Sequence, residues 1–193
     1  MRTYKIPLGF TLIEMIATVA VLSILVTVGI PSFQETTDKR RLTGAAEQLY
    51  GDLQYARGEA IKRNANVFVT FTGSGTTWCY GMSATTATCN CTTANSCALD
   101  GVEKVVNQTG FRNVSLGVSN ITNNNLNFEP RRGLVSMNNN ALPIVTGEIE
   151  FTSNHGASNE KELRLEVSRL GRVKMCSPSG NENVSGYPTC PGP

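Results

Sequence analysis

The chain has 193 residues and a formal net charge of +2 at pH 7, a length that allows one domain of ordinary size behind a short N-terminal segment. Arg2 and Lys5 lie in that segment, and beyond them basic and acidic side chains balance at fifteen each. Bulk attraction to nucleic acid is thereby excluded, and any anion binding must come from a local patch.

The first element in chain order is apolar. After Gly9, Phe10-Thr11-Leu12-Ile13-Glu14 opens a run that continues through Met15, Ile16, Val19, Ala20, Val21, Leu22, Ile24, Leu25, Val26 and Val28 to Ile30 and stops at Pro31. About twenty residues at 1.5 Å per residue suffice for one crossing of a ~30 Å hydrocarbon core. Arg2 and Lys5 in front of the run predict a cytoplasmic start and an exported remainder. Glu14 is the one carboxylate within it. An acidic residue costs roughly 2.5–3.5 kcal/mol at the membrane centre, less near an interface, and calls for a partner. No small-residue cut site of the ordinary signal-peptide kind follows the run. The small residue with a cut-site look is Gly9, and cleavage there would remove the charged leader and keep the helix.

Pro7-Leu8-Gly9-Phe10-Thr11-Leu12-Ile13-Glu14 resembles the class III signal of type IV pilins and pseudopilins. The resemblance implies cleavage between Gly9 and Phe10 by a prepilin peptidase, N-methylation of Phe10, and a part for Glu14 in entry of the subunit into a filament. A carboxylate four residues on can neutralise the new terminal amine in an apolar surrounding; in the family that amine is thought to belong to a neighbouring subunit. On this reading residues 1–9 are the leader, 10–30 a transmembrane helix, 31–64 its amphipathic continuation, and 65–193 a β-rich head outside the cytoplasm. The implied locations are the bacterial inner membrane and the pilus fibre or tip, and the implied partners are other major and minor pilins.

After Pro31 a helical pattern resumes. Leu42, Ala45, Ala46, Leu49, Leu53, Ala56 and Ala60 recur at three- and four-residue steps, the stripe of a helix lying on a core. The helix is expected to run to about Arg63 and end at Asn64. Pro31 removes one backbone donor and is expected to bend or loosen it locally. Gly44, Gly51 and Gly58 repeat every seven residues, away from the stripe. They read either as a strip for close approach of another helix or as small residues tolerated on a solvent face.

From Asn66 the pattern changes to strands. Val67-Phe68-Val69-Thr70-Phe71 and Trp78-Cys79-Tyr80-Gly81-Met82, joined across Thr72-Gly73-Ser74-Gly75-Thr76-Thr77, read as a hairpin. Residues 83–98 form a small-polar cysteine loop that needs bridges to hold it. Further strands are expected at 101–106, 113–118, 126–128, 147–152, 163–167 and 172–176, with the asparagine-rich 123–125 and 138–140 as loops. The layout is α+β: a long N-terminal helix, transmembrane in its first half, packed on an antiparallel sheet with disulfide-stapled loops.

Six cysteines in an exported domain argue for disulfides. They fall into two groups, Cys79, Cys89, Cys91 and Cys97, then Cys176 and Cys190, and spacing leaves their connectivity open. The pilin resemblance implies a Cys176–Cys190 bridge closing the tail. The other four would then pair among themselves, with Cys79–Cys89 and Cys91–Cys97 the more local option. A zinc site is the rival, but C-x-C and C-x5-C are not its usual spacings. The one histidine, His155, has no marked nucleophile around it, and no phosphate-binding glycine motif or metal loop occurs. The chain reads as a non-enzyme with no cofactor.

A narrower resemblance spans both ends of the head. Ala56-Arg57-Gly58-Glu59-Ala60-Ile61-Lys62-Arg63-Asn64, the hairpin, and Gly171-Arg172-Val173 resemble the GspH/FimT-like minor pilins. In FimT-like pilins of naturally transformable bacteria a G-R-x-R element near the C terminus contacts DNA. The matching positions here are Gly171-Arg172-Val173-Lys174, where lysine keeps the charge but loses the bidentate fork. Arg164 and Arg169 add to this segment, which also carries Glu162 and Glu166. If 163–167 is a strand, Arg164 and Glu166 share one face, opposite Leu163, Leu165 and Val167. Arg131-Arg132 forms a second basic turn that would extend a phosphate track if it lies near Arg172. The expected function is that of a minor pilin in pilus assembly or initiation, with sequence-independent contact to double-stranded DNA at this element. The alternative is a pseudopilin of a type II secretion system.

Overall fold

The computed structural model describes residues 9–85, 89–137, 146–153 and 160–191, with backbone alone over 28–32. The chain divides into two compact units, Met1–Thr37 and Asp38–Pro193.

In the first unit, helix α1 (Leu12–Arg63) begins behind Thr11, whose Oγ1 accepts from the Glu14 N–H at 3.3 Å, an N-cap bond that satisfies one open donor of the first turn. The hydroxyls of Thr18, Ser23 and Thr27 donate back to the carbonyls of Met15, Ala20 and Ile24 at 2.8–2.9 Å. These polar residues therefore turn no unused donor toward an apolar medium. The helix is continuous through Pro31. Among the described residues no helix is long and apolar enough to cross a membrane. The expected run extends to Ile30, into the stretch whose side chains lie outside the description.

In the second unit the stripe from Leu42 to Ala60 is buried at every expected position. α1 closes with Asn64 in the left-handed region, at φ 50°. The Ala65 N–H bonds the Ala60 carbonyl and the Asn64 N–H bonds that of Ile61, both at 3.3 Å. That pair of bonds is the Schellman ending, with asparagine where glycine is commonest.

The strands are β1 (Val67–Ser74), β2 (Thr77–Ser83), β3 (Ala98–Leu99), β4 (Val102–Glu103), β5 (Val105–Asn107), β6 (Val114–Ser119), β7 (Asn125–Phe128), β8 (Val135–Ser136), β9 (Gly147–Ser153), β10 (Glu162–Val167) and β11 (Val173–Cys176). The short β3 and β8 were not expected. In place of a single sheet there are two, ordered β5-β2-β1-β7-β8 and β11-β10-β9-β6, with a small β3-β4 ribbon. All these strand pairs are antiparallel. Two 2.9 Å backbone bonds between Gly75 and Leu116 tie the tip of the β1–β2 hairpin to β6.

Both sheets and the helix stripe share one apolar core. Trp78 of β2 sits at its centre, stacked against Tyr80 and Phe111 and edge-on to Phe151 of β9, ring centroids 5.4–6.4 Å apart. Its indole N–H donates to the Val114 carbonyl at 2.8 Å, so the largest apolar ring is buried without stranding its donor. Tyr80 donates to Asp52 Oδ2 of α1 at 2.7 Å. Burial first, then the Asp52 charge, pushes its phenol up.

The tail bridge Cys176–Cys190 is present, as the resemblance implied. The local pairing of the other four is overturned. Cys79 bonds Cys91 and Cys89 bonds Cys97, so the two bridges interleave. A close approach on β2 places one of the four. A Cβ on Gly81 would lie 2.5 Å from Cys97 Sγ, so the glycine lets Cys97 lie flat on the strand. Backbone bonds from Lys104 N–H to the Cys97 carbonyl (2.9 Å) and from Met82 N–H to the Lys104 carbonyl (3.0 Å) hold it there.

Candidate nucleic-acid interface

The basic residues expected to act together separate into two settings. On β10, Leu163, Leu165 and Val167 are buried while Arg164 and Glu166 are half-buried on the outer face, the alternation expected of the strand. Register places Arg164 beside Glu150 of β9 and Cys176 of β11, and Glu166 beside Glu148 and Lys174. Arg164 Nη2 donates to Glu162 Oε1 at 3.0 Å, and Nη1 lies 3.8 Å from Glu148 Oε2. Burial, followed by the charge of Glu150, pushes the Glu162 carboxyl up. Arg164 is thus the cation that holds an acidic patch together. Lys174 is exposed beside Glu166. It lines a cleft of about 610 Å³ with Glu47, Tyr50, Met175 and Tyr187. Tyr187 donates to Glu47 Oε1 at 2.7 Å; burial and that carboxylate push its phenol up to about 12.

The second setting is a pair of turns. Beyond β10 the chain reverses over Ser168-Arg169-Leu170-Gly171-Arg172. The Gly171 N–H donates to the Ser168 carbonyl and the Ser168 N–H to the Arg172 carbonyl, both at 2.9 Å. The Arg172 N–H donates to Ser168 Oγ at 3.2 Å. Between β7 and β8, the Gly133 N–H donates to the Glu129 carbonyl at 3.1 Å and closes a turn over Arg131 and Arg132. Gly133 and Gly171 have φ of +59° and +70°, a region in which a Cβ is strained. The turns abut: a Cβ on Gly171 would stand 2.2 Å from the Gly133 carbonyl oxygen, and the Val135 N–H donates to the Arg169 carbonyl at 2.9 Å.

Arg131, Arg132, Arg169 and Arg172 are therefore brought to one place, all exposed. Glu129 is the one carboxylate on either turn. Among the described residues none of the four arginines makes an ion pair. Four unpaired guanidiniums on a fixed backbone suit a polyanion, since phosphate contacts come from such forks and release counterions. Beneath the turns lies Arg57 of α1, whose Nη1 donates to the Gly171 carbonyl at 3.2 Å. Sequence reasoning missed its place; the only signal was the Ala56-Arg57-Gly58-Glu59 string in the family resemblance. It also missed Glu148 and Glu150, which reach Arg164 from a neighbouring strand.

A family model described as Type II transport protein GspH matches residues 45–171. The chain belongs to the GspH family. The match covers α1 from Ala45 and the head as far as Gly171, so Arg172, Lys174 and the tail bridge of this GspH-family chain lie past its end. Among solved structures it is similar to the type IV minor pilin FimU of Pseudomonas aeruginosa strain PAO1 in two crystal forms. In one, identity is 19% and the TM-score 0.48, covering 75% of this chain and 98% of that one. In the other, identity is 16% and the TM-score 0.45, covering 72% and 98%. No curated protein matches.

Gly9, Phe10 and Glu14 are exposed at the start of α1, and no Glu14 ion pair occurs among the described residues. Gly51 and Gly58 face open space, whereas Gly44 meets the Phe111 ring, which a Cβ would approach to 3.5 Å. The seven-residue glycine repeat is thus not one open strip. His155 and residues 138–140 lie outside the described residues. Among the described residues no group of histidine, cysteine and carboxylate side chains could hold a metal ion.

Proposed function

We propose that this GspH-family chain is a non-enzymatic minor pilin, anchored in the inner membrane by residues 10–30 and incorporated into a type IV pilus, where it serves assembly or initiation. A prepilin peptidase cuts between Gly9 and Phe10, Phe10 is N-methylated, and Glu14 meets the terminal amine of a neighbouring subunit. The supporting observation is the surface of early α1, where Leu12, Ile13, Ile16, Val19, Leu22 and Leu25 are 57–78% exposed. Covering them with lipid and neighbouring helices is worth on the order of 10 kcal/mol. A carboxylate in that surface needs a counter-charge. Glu14→Ala is expected to leave membrane levels unchanged and deplete the subunit from sheared filaments. Undiminished incorporation would count against the assembly role. The family description, Type II transport, favours a second reading as a pseudopilin of a secretion system. Capture of crosslinked partners from cells that carry both machineries separates the two.

The head's own activity, on this proposal, is weak, sequence-independent contact with double-stranded DNA. Arg131, Arg132, Arg169 and Arg172 supply the forks, and Lys174 adds less because Glu166 lies beside it. Arg164 leaves the set, being held by Glu162 and Glu148. The supporting observation is the abutment of the two turns. Full chain in detergent is expected to shift a short duplex at low salt and release it as salt rises. No shift at low salt would sink this reading.

A further inference from the structure

We infer that Arg57, on α1, is the positioning residue that clamps the two arginine-bearing turns together and so sets how their guanidiniums are presented; the inference rests on the DNA-contact reading for its use, and on the packing alone for the clamp. Arg57 lies against both turns at once. A Cβ on Gly133 would be 2.7 Å from Arg57 Nε, and one on Gly171 would be 3.1 Å from the same atom. Its Nη1 donates to the Gly171 carbonyl at 3.2 Å. Its Nε is buried, with no acceptor among the described residues. A buried donor left unmatched has a cost, and that cost is tolerated here where the planar head fills the space under two glycine backbones.

The fit explains both glycines. At each position a side chain would meet Arg57, and at Gly171 it would also meet the Gly133 carbonyl. Arg57 Nε is buried beneath the turns, and on this inference its effect on a polyanion passes through the four exposed arginines. Lysine in its place keeps the charge but has no planar fork, so that exchange separates clamping from simple attraction.

The test uses the full chain in detergent, a short fluorescent duplex DNA, and hydrogen exchange. Arg57→Lys is expected to weaken DNA binding about fivefold with its charge retained. It should also speed exchange at the Val135 amide, which closes the junction, and at the Gly171 amide, which closes the turn whose carbonyl Arg57 holds. Gly171→Ala, which forces the turns apart without touching any charge, is expected to act in the same direction, with near-ultraviolet circular dichroism confirming a folded head. Wild-type affinity and unchanged exchange in Arg57→Lys would overturn the clamp. Weaker binding with unchanged exchange would overturn it too, by making Arg57 a direct contact. If the wild-type chain binds no DNA, the DNA reading falls by itself. Exchange at Val135 and Gly171 then decides the clamp alone, faster upholding it and unchanged refuting it.

Discussion

On the outer face of the four-stranded sheet Arg164 lies among Glu148, Glu150 and Glu162, whereas a few residues further along the same chain Arg169 and Arg172 stand on a turn with no ion pair among the described residues. The residue type is the same and the electrostatic state is opposite. The sheet face is self-neutralised, and a polyanion approaching it would have to compete with carboxylates already in place. The paired turns carry four guanidiniums and one carboxylate, Glu129. A cluster of basic residues in sequence becomes a basic surface only where the fold keeps acids away from it.

The contrast breaks most visibly in DNA binding. Arg169→Ala with Arg172→Ala is expected to weaken duplex affinity about tenfold or more and make the salt slope shallower by about two, as two phosphate contacts vanish. Arg164→Gln should leave both unchanged in the same fluorescence titration; equal losses would erase the distinction between the two settings. The next largest effect is on stability and runs the other way. Arg164→Gln leaves three neighbouring carboxylates without their cation and should cost about 1 kcal/mol in urea unfolding, while the Arg169 and Arg172 changes stay near zero. The smallest effect is a pH dependence at Glu162. Its folded carboxyl titrates above the ordinary value because of burial and the Glu150 charge. Between the ordinary value and the raised one the folded chain therefore holds a proton that the unfolded chain has lost, and stability falls as pH rises through that window. Glu162→Gln should be more stable than the parent at pH 7 by less than about 1 kcal/mol, screening by water being allowed for. The gap should close as the pH falls to the ordinary carboxylate range. A gap that widens on acidification would reverse the assignment.

What could be read from the sequence was what depends on near neighbours. The stripe from Leu42 to Ala60 and the hairpin around Gly75 rest on periodicity and turn chemistry, and both formed where expected. Strand pairing between distant segments carries no such local mark. That is why one sheet was expected where two formed, and why β3 and β8 were missed. The cysteine pairing was missed for a related reason, since it depends on how the loop folds back on β2, where Cys97 lies against Gly81. At the candidate interface, strand alternation correctly gave Arg164 and Glu166 a shared face. The acids that neutralise Arg164 come from β9, across a register that only folding establishes. The nearness of Arg131 and Arg132 to Arg172 had been conditional; two left-handed glycines made it actual.

The interleaved bridges have a mechanical consequence. A pull on the segment from Cys79 to Cys97 travels across the first bridge to Cys91, back through Asn90 to Cys89, and across the second bridge to Cys97. Once the segment is drawn out, at about 3.5 Å of reach per residue, only residues 89–91 remain in the load path. The two bridges act in series, and losing either one returns a longer stretch of backbone, 91–97 or 79–89, to the load path. The small polar residues between Ser83 and Cys97 are thereby left little extra length to release under load.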